Sequence, residues 1–310
     1  MMLRRVRRAL VPIACLGLVA SANQSAAGQV LDEVAPPGTN YDNAEFRFWL
    51  PRDVSILRAV LVLVPGSNGD GRAMAEDSVW QAFASRNKLA IVACRFTDKP
   101  HEQSFIEHYV NVSQGSGQAL LEAISRFAER SEHAELAAAP LLFWGMSAGG
   151  QFNYEFAAWK PERVLAFVVN KGGIYYTALT PRATREVPAV LFVGGKDLES
   201  RTSTITGLFA LNRRGGARWA LTEEPSAGHI VGRSRDMSML FFEEVLPLRL
   251  NEGSTSLKSL AEANGFLGDF KSKLVRPFAD SATPNYPTAW LPTARVARAW
   301  LALITEKPFE

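Results

Sequence analysis

The sequence predicts an α/β protein with a doubly wound, mostly parallel sheet and helices on both faces of that sheet. Apolar runs at 58–64, 89–96 and 141–145 show no polar alternation, which is typical of strands covered on both sides. Between them, 72–87 and 117–130 carry apolar residues three and four positions apart, the spacing of amphipathic helices. Strands that alternate with helices in this way predict a doubly wound sheet.

The same patterns assign the rest of the chain. Residues 45–50 alternate like an edge strand. Downstream of the third apolar run we expect helices at 151–159, 237–246 and 293–304, and strands at 163–170, 188–193 and 217–222. The segment 253–291 is rich in loops and aromatic residues, and it either forms a rim over a site or wraps the sheet.

The first 22 residues have the pattern of a secretory signal peptide. Four arginines precede an apolar stretch that is too short to span a bilayer, and Ala20-Ser21-Ala22 fits a small-x-small cleavage site. Cys15 lacks the upstream leucine-like residue of lipoprotein sites. We therefore expect a secreted or periplasmic protein without a membrane span, a flexible lead-in over 23–40 and one domain over 41–310.

The charge of the chain argues against a nucleic-acid-binding protein, and its cysteine content argues against a protein stabilised by intramolecular disulfides. Cleavage removes four of the 34 basic residues and none of the 31 acidic ones, which leaves a net charge of about −1. No basic surface is then expected, so nucleic acid is not a predicted partner. Cys94 is the only cysteine left in the mature chain, so no intramolecular disulfide can form.

The third apolar run leads directly into Gly145-Met146-Ser147-Ala148-Gly149. A buried strand that turns sharply into a helix needs small residues on both sides of the corner, where a Cβ would collide across the turn. Ser147 at the corner would hold its hydroxyl above the sheet, next to the first amide of the new helix. This pattern predicts a nucleophile elbow.

A base and an orienting acid are found downstream in the order Ser147, Asp197, His229. Each residue lies at or beyond the carboxyl end of a separate predicted strand, so the three side chains can meet at one sheet edge. Histidine titrates near neutrality and can act as base and then as acid. Glu199 is the alternative acid. The other histidines precede the predicted strand 188–193 that leads to Asp197, and none of them has the spacing of a metal motif: His101, His108 and His133. No metal is therefore expected.

Two further loops are assigned to the site. The glycine-rich loop 65–71 lacks the Gly-Lys-Ser/Thr end of a P-loop, and we interpret it as the source of a second oxyanion amide. Ser67 is the preferred donor and Asn68 the alternative, with Ala148 supplying the other amide. Tyr175 and Tyr176 follow the strand 163–170, where they would line a substrate cleft or pack on the surface.

These motifs resemble those of the secreted α/β-hydrolases around dienelactone hydrolase, poly(3-hydroxybutyrate) depolymerase and feruloyl esterase. The resemblance covers roughly 59–231 and is carried by Val64-Pro65-Gly66-Ser67, the Gly145–Gly150 turn, Gly194-Gly195-Lys196-Asp197 and Gly228-His229. It implies an α/β-hydrolase fold and an esterase-like activity without a cofactor, on a small or polymeric ester. Pro65-Gly66 replaces the His-Gly pair common in these families, and Ser147 stands where dienelactone hydrolases have cysteine.

Two other functions remain open from the sequence. A serine peptidase of the prolyl-oligopeptidase type would share the same three residues, although the chain has no room for the large N-terminal domain of those enzymes. A non-catalytic binding protein with a hydrolase fold would share the architecture, but such proteins typically lose a member of the triad. Here all three members are in place.

Overall fold

The structure is a computed structural model that describes residues 28–52, 54–103, 106–251, 256–280 and 288–309. The predicted signal peptide over 1–22 lies outside the described residues. The strands are β1 (Gln29–Ala35), β2 (Asn43–Leu50), β3 (Ala59–Val64), β4 (Leu89–Thr97), β5 (Leu141–Gly145), β6 (Val164–Asn170), β7 (Ala189–Gly194), β8 (Trp219–Glu224), β9 (Phe266–Asp269), β10 (Leu274–Pro277) and β11 (Thr288–Leu291). The α-helices are α1 (Ser78–Asn87), α2 (Ser116–Arg130), α3 (Ala148–Trp159), α4 (Arg182–Arg185), α5 (Glu199–Arg214), α6 (Ser234–Arg249) and α7 (Ala294–Ile304).

The central sheet has eight strands in the order β1-β2-β4-β3-β5-β6-β7-β8. The pairs β1–β2 and β2–β4 are antiparallel, and the pairs from β4 through β3 to β8 are parallel. Alternate residues of β3 enter two separate apolar cores: Val60 and Val62 pack on one face, and Leu61 and Leu63 on the other. Both faces are therefore covered, which confirms the predicted doubly wound α/β architecture.

Strand β1 is a departure from the predicted flexible lead-in over 23–40. It pairs with β2 along its whole length, so β2 is not the edge strand that its alternation predicted. Asp32 accepts two hydrogen bonds from Arg47 of β2, and Glu33 accepts one from Arg126 of α2. The polar residues that made this segment look flexible therefore attach it to β2 and to α2.

Helices α1 and α3 begin at positions set by local geometry. The segment predicted as one helix over 72–87 divides into a 3₁₀ turn and α1, because the Asp77 side chain caps α1 by accepting hydrogen bonds from the amides of Val79 and Trp80. Helix α3 starts at Ala148, three residues before its predicted start. No helix in the described part of the chain is long and apolar enough to cross a bilayer.

The chain after α6 forms a second small sheet in the order β10-β9-β11. Its strand β9 lies against α7: a Cβ at Gly268 would be 2.7 Å from the Trp300 ring. The Trp300 indole in turn donates a 2.7 Å hydrogen bond to the carbonyl of Leu221 in β8. The described part of the segment 253–291 therefore wraps the β8 side of the central sheet.

Candidate active site

Ser147 occupies a sharp corner between β5 and α3, with φ 56° and ψ −122°. A non-glycine residue rarely adopts positive φ, and such strain is concentrated at functional sites. Its amide donates a 2.8 Å hydrogen bond to the carbonyl of Asn170 at the end of β6. A Cβ at Gly145 would lie 2.5 Å from the backbone of Gly149, and one at Gly149 would lie 2.1 Å from the carbonyl oxygen of Val64. Small residues are required at both positions, as the motif predicted.

Three side chains from three loops meet above the carboxyl ends of the parallel strands. The hydroxyl oxygen of Ser147 lies 3.1 Å from Nε2 of His229. The other ring nitrogen of His229, Nδ1, lies 3.1 Å from Oδ2 of Asp197. The imidazole is 34% exposed and the carboxylate only 3% exposed, so the histidine faces solvent while the acid behind it is shielded. This geometry allows a proton to move from the hydroxyl to an oriented imidazole.

The carboxylate of Asp197 divides its two oxygens between different partners. Oδ2 faces His229, whereas Oδ1 accepts hydrogen bonds from the amide of Leu198 and from the guanidinium of Arg201. Burial raises the pKa of Asp197, but the hydrogen bonds from Leu198 and His229 and the charge of Arg201 together lower it below its ordinary value. Glu199, the alternative acid, stands exposed at the start of α5.

The backbone amides of Ser67 and Ala148 donate to no hydrogen-bond acceptor within the described ranges, and Ala148 directly follows Ser147. Gly66 brings the loop 65–71 close to Ser147, since a Cβ on Gly66 would lie 3.6 Å from Cβ of Ser147. The amide of Asn68 is occupied, because it donates to the phenolic oxygen of Tyr109 at 3.2 Å. The arrangement therefore favours Ser67 over Asn68 as the second donor of an oxyanion hole.

The two tyrosines of the loop after β6 have different surroundings. The ring of Tyr175 packs edge-on against Tyr154, and its hydroxyl oxygen is buried, where a Cβ at Gly172 would lie 2.4 Å away. Burial raises the pKa of this hydroxyl well above its ordinary value. Tyr176 is exposed and lines a cleft of about 410 Å³ with Trp159. None of Ser147, Asp197 and His229 lines this cleft. The assignment of the two tyrosines to a substrate cleft therefore stays a prediction for Tyr176, whereas the buried hydroxyl of Tyr175 faces the protein interior.

Three residues of the site were missed from the sequence. Arg201 lies four residues after Asp197, the spacing of a helical ion pair, and this signal was readable. Lys171 is fully buried and pairs with Glu224 at 2.6 Å, 53 residues further along the chain. No local pattern predicts that contact, because a lysine at the end of a strand is ordinarily solvated.

The histidines outside this site do not gather metal ligands. His101 and His108 stack with their ring centres 4.2 Å apart, and His101 lies 3.3 Å from the carboxylate of Asp98. Across the described residues, no group of three or more His, Cys, Asp or Glu side chains is arranged to hold a metal ion.

Comparison with solved structures identifies the architecture. A poly(3-hydroxybutyrate) depolymerase from Bordetella parapertussis superposes with a TM-score of 0.51 at 19% identity, over 74% of this chain and 92% of its own. A ferulic acid esterase gives 0.52 at 10% identity, over 72% and 99%. A thermostable esterase gives 0.50 at 14% identity, over 63% and 54%. No protein-family model and no curated protein matches the sequence.

These likenesses, together with the sheet order and the sharp turn at Ser147, define the class of fold. The chain has the α/β-hydrolase fold, as the motifs predicted. At identities below 25% the similarity establishes the architecture, and the chemistry has to be argued from the site itself.

Proposed function

We propose that this protein is a serine hydrolase that cleaves carboxylic esters through an acyl-enzyme intermediate. The observation that carries the proposal is the relay of two 3.1 Å contacts, from Ser147 Oγ to His229 and from His229 to Asp197, at a strained strand-to-helix corner. Serine is a poor nucleophile at neutral pH, and an oriented base within hydrogen-bond distance removes that limitation.

The reaction begins with attack by Ser147 Oγ on the ester carbonyl carbon while Nε2 of His229 takes the hydroxyl proton. The carbonyl oxygen becomes an oxyanion, which the amides of Ser67 and Ala148 would stabilise by hydrogen bonds. The intermediate collapses, the bond to the leaving oxygen breaks, and His229 returns its proton to the departing alcohol. A water molecule then attacks the acyl-enzyme with the same base, which releases the acid and restores Ser147.

Asp197 has the role of fixing the imidazole. By accepting a hydrogen bond from the protonated Nδ1, Asp197 leaves Nε2 free to face the serine, and its negative charge stabilises the imidazolium that forms. The hydrogen bonds from Leu198 and Arg201 to Oδ1 hold the carboxylate in that orientation.

The surroundings of the triad favour an apolar ester. Ile174, Leu198 and Ile230 follow β6, β7 and β8, and they are 38%, 63% and 58% exposed. Leu198 and Ile230 stand on the loops that carry Asp197 and His229, and Ile174 stands on the loop after β6, whose last residue Asn170 accepts a hydrogen bond from the Ser147 amide. Exposed aliphatic side chains around a polar centre are typical of a surface that binds apolar groups. Tyr176 is the proposed aromatic contact on this side. Structural neighbours named as an esterase, a ferulic acid esterase and a depolymerase agree with ester chemistry.

The test is a screen of aliphatic esters of increasing acyl length and of aromatic esters on the chain that starts at Asn23. Ester turnover that disappears in Ser147→Ala, together with labelling of Ser147 by a phosphonate, is expected. Matched peptide substrates are run in parallel: cleavage of peptides with no ester turnover would identify a peptidase. A protein that is neither labelled nor active would be a binding protein.

We also propose that the chain is exported, to the medium or the periplasm, and cleaved after Ala22. Mass spectrometry of the exported product should find Asn23 as its first residue. An intact Met1 or a lipid on Cys15 would contradict this assignment.

A further inference from the structure

A buried ion pair lies beneath the loop that carries His229. Lys171 directly follows β6, and its side chain is 0% exposed. Its ammonium donates hydrogen bonds to Oε1 of Glu224 at 2.6 Å and to Oδ1 of Asn170 at 3.1 Å. The alkyl chain of Lys171 passes close to the end of β7, since a Cβ at Gly194, the last residue of that strand, would lie 3.1 Å from Cε of Lys171. The pair thus joins the ends of β6 and β8 inside the protein.

Glu224 holds both ends of the histidine loop, which we define as residues 225–233. It is the last residue of β8, and Oε2 accepts a 2.7 Å hydrogen bond from the amide of Arg233 at the other end of the loop. Gly232 is required there, because its φ is +58° and a Cβ on it would lie 2.2 Å from Oε2 of Glu224. The carboxylate therefore closes the loop on itself and attaches it to Lys171.

Asn170 joins this loop to the nucleophile. The backbone carbonyl of Asn170 accepts a hydrogen bond from the amide of Ser147. Its side-chain amide donates a hydrogen bond to the hydroxyl of Ser234, the residue that begins α6 directly after the loop. A continuous path of hydrogen bonds therefore runs from the Ser147 backbone through Asn170 and Lys171 to Glu224 and the histidine loop. Neither member of the ion pair has a hydrogen bond to Ser147 Oγ or to the His229 ring within the described residues.

We propose that Lys171 and Glu224 are positioning residues, whose buried ion pair fixes the distance between the histidine loop and the Ser147 corner. This inference rests on the proposed function, because the distance matters for proton transfer between Ser147 and His229. Its physical basis is that a lone buried charge is strongly unfavourable, whereas the pair is tolerated. Removing one partner leaves the other charge to draw in water or to move its segment.

Charge balance gives the proposal a distinctive prediction. Glu224→Gln and Lys171→Met each leave one uncompensated charge, so each should lower kcat roughly 10- to 100-fold while KM changes less than about threefold. The double variant Lys171→Met/Glu224→Gln carries no buried charge and should recover to within about tenfold of the parent. Such non-additivity is the sign of a coupled pair.

The second readout is spectroscopic and does not depend on turnover. The proton on Nδ1 of His229 that faces Asp197 should give a downfield proton resonance in the parent, and both single variants should lose or broaden it although they remain folded by circular dichroism. Ser234→Ala is a milder variant that keeps the ion pair and removes the shorter of the two hydrogen bonds from the Asn170 side chain, which leaves only the 3.4 Å bond to the carbonyl of Val231. It should lower kcat by about threefold to tenfold, so it tests the same path if the charge variants do not fold.

A matched control comes from a second buried cation. Arg213, in the last turn of α5, is fully buried and pairs with Glu262. It also donates to the carbonyl of Ala217, just before β8. Glu262→Gln should lower the unfolding temperature without changing kcat or the downfield resonance. A loss of kcat in this control equal to that of Glu224→Gln would mean that any weakened ion pair disturbs the site, which overturns the proposal.

Two further results would overturn it. One is a folded Glu224→Gln or Ser234→Ala protein with the kcat and the downfield resonance of the parent. The other is a double variant whose loss equals the product of the two single losses. Failure of the proposed function looks different: the parent protein itself would then show no ester turnover and no phosphonate labelling, while the resonance would still report whether the ion pair holds the His229–Asp197 contact.

Discussion

The nucleophile corner and the histidine loop lie side by side in the site but are held by different means. At the corner, the shape comes from neighbours in the sequence: Gly145 and Gly149 flank Ser147, and their lack of side chains lets the backbone turn against itself and against β3. The ends of the histidine loop are tied by Glu224, the last residue of β8, and Glu224 is held by Lys171 at the end of β6. The position of the nucleophile is therefore encoded locally, and that of the base by tertiary contacts.

This difference predicts two kinds of sensitivity to mutation. Substitutions at the corner should act on chemistry or on the local fold, while substitutions under the loop should act on turnover through distance. The predictions that follow test this contrast in order of expected effect.

The largest effect is expected for Ser147→Ala. The Cβ and the backbone strain are kept, so the fold should remain, while hydrolysis should fall by roughly three to six orders of magnitude. Turnover of an activated ester and the unfolding temperature are measured together. Activity within about tenfold of the parent would remove Ser147 from the role of nucleophile.

The next effect concerns Asp197 against Glu199. Asp197→Asn should lower turnover by up to about 10⁴-fold, because an amide in that position favours the wrong histidine tautomer. Glu199→Gln is the matched control two residues further on, at the start of α5, and should cost less than about tenfold, since that carboxylate is exposed. Both are measured at a pH of about 7.5, above the ordinary pKa of histidine. The opposite ranking would assign the acid to Glu199.

A glycine pair tests the loop directly. Gly232→Ala places a methyl group at positive φ and against the carboxylate of Glu224, so it should destabilise the protein by at least about 1–2 kcal/mol and lower kcat roughly tenfold. Gly207→Ala in α5 meets no atom within 4 Å and should stabilise by about 0.5–1 kcal/mol with unchanged kcat. Equal kcat values for Gly232→Ala and Gly207→Ala would mean that the contact of Gly232 with Glu224 does not fix the position of the histidine loop.

The smallest effect is a pH dependence of stability at Asp197. Its pKa is lowered in the folded state, so it contributes stability above its unfolded pKa of about 3.9, and this contribution is lost as the pH falls through the folded value. Arg201→Gln removes one cause of that lowering and should cost about 0.5–1 kcal/mol at pH 6.

Urea unfolding between pH 3 and 6 measures this difference. The gap between the parent and Arg201→Gln should narrow as the pH drops below about 4. Asp197→Asn serves as the background control, in which adding Arg201→Gln should leave no pH-dependent gap. A gap that stays constant down to pH 3 would mean that Arg201 stabilises the protein by packing alone.

The contrast between local and tertiary contacts also explains what could be predicted from the sequence. The parallel strands, the amphipathic helix α2 and the turn around Ser147 have signatures within a few residues, so the fold class was predictable. Ser147, Asp197 and His229 were found by chain order and by their places after strands, and the structure brings them within hydrogen-bond distance.

The elements that were missed have weak local signals. Strand β1 carries Asp32 and Glu33, whose partners lie in β2 and α2, so its composition resembles that of a loop. Helix α5 has few apolar residues and little periodicity. The contact of Lys171 with Glu224 exists only once β6 and β8 have been placed on either side of β7, and no single segment contains that information.

The buried thiol of Cys94 has a practical consequence for following this protein in solution. Cys94 lies in the middle of β4, fully enclosed, and burial raises its pKa far above the ordinary value for a thiol. Thiol reagents attack the thiolate, so the rate at which Cys94 is labelled would count how often the sheet opens. In a chain that starts at Asn23, Cys94 is the sole sulfhydryl, so thiol labelling reports on unfolding without any introduced probe. Cysteines introduced at the surface could be labelled with dyes while Cys94 stays enclosed in the folded protein.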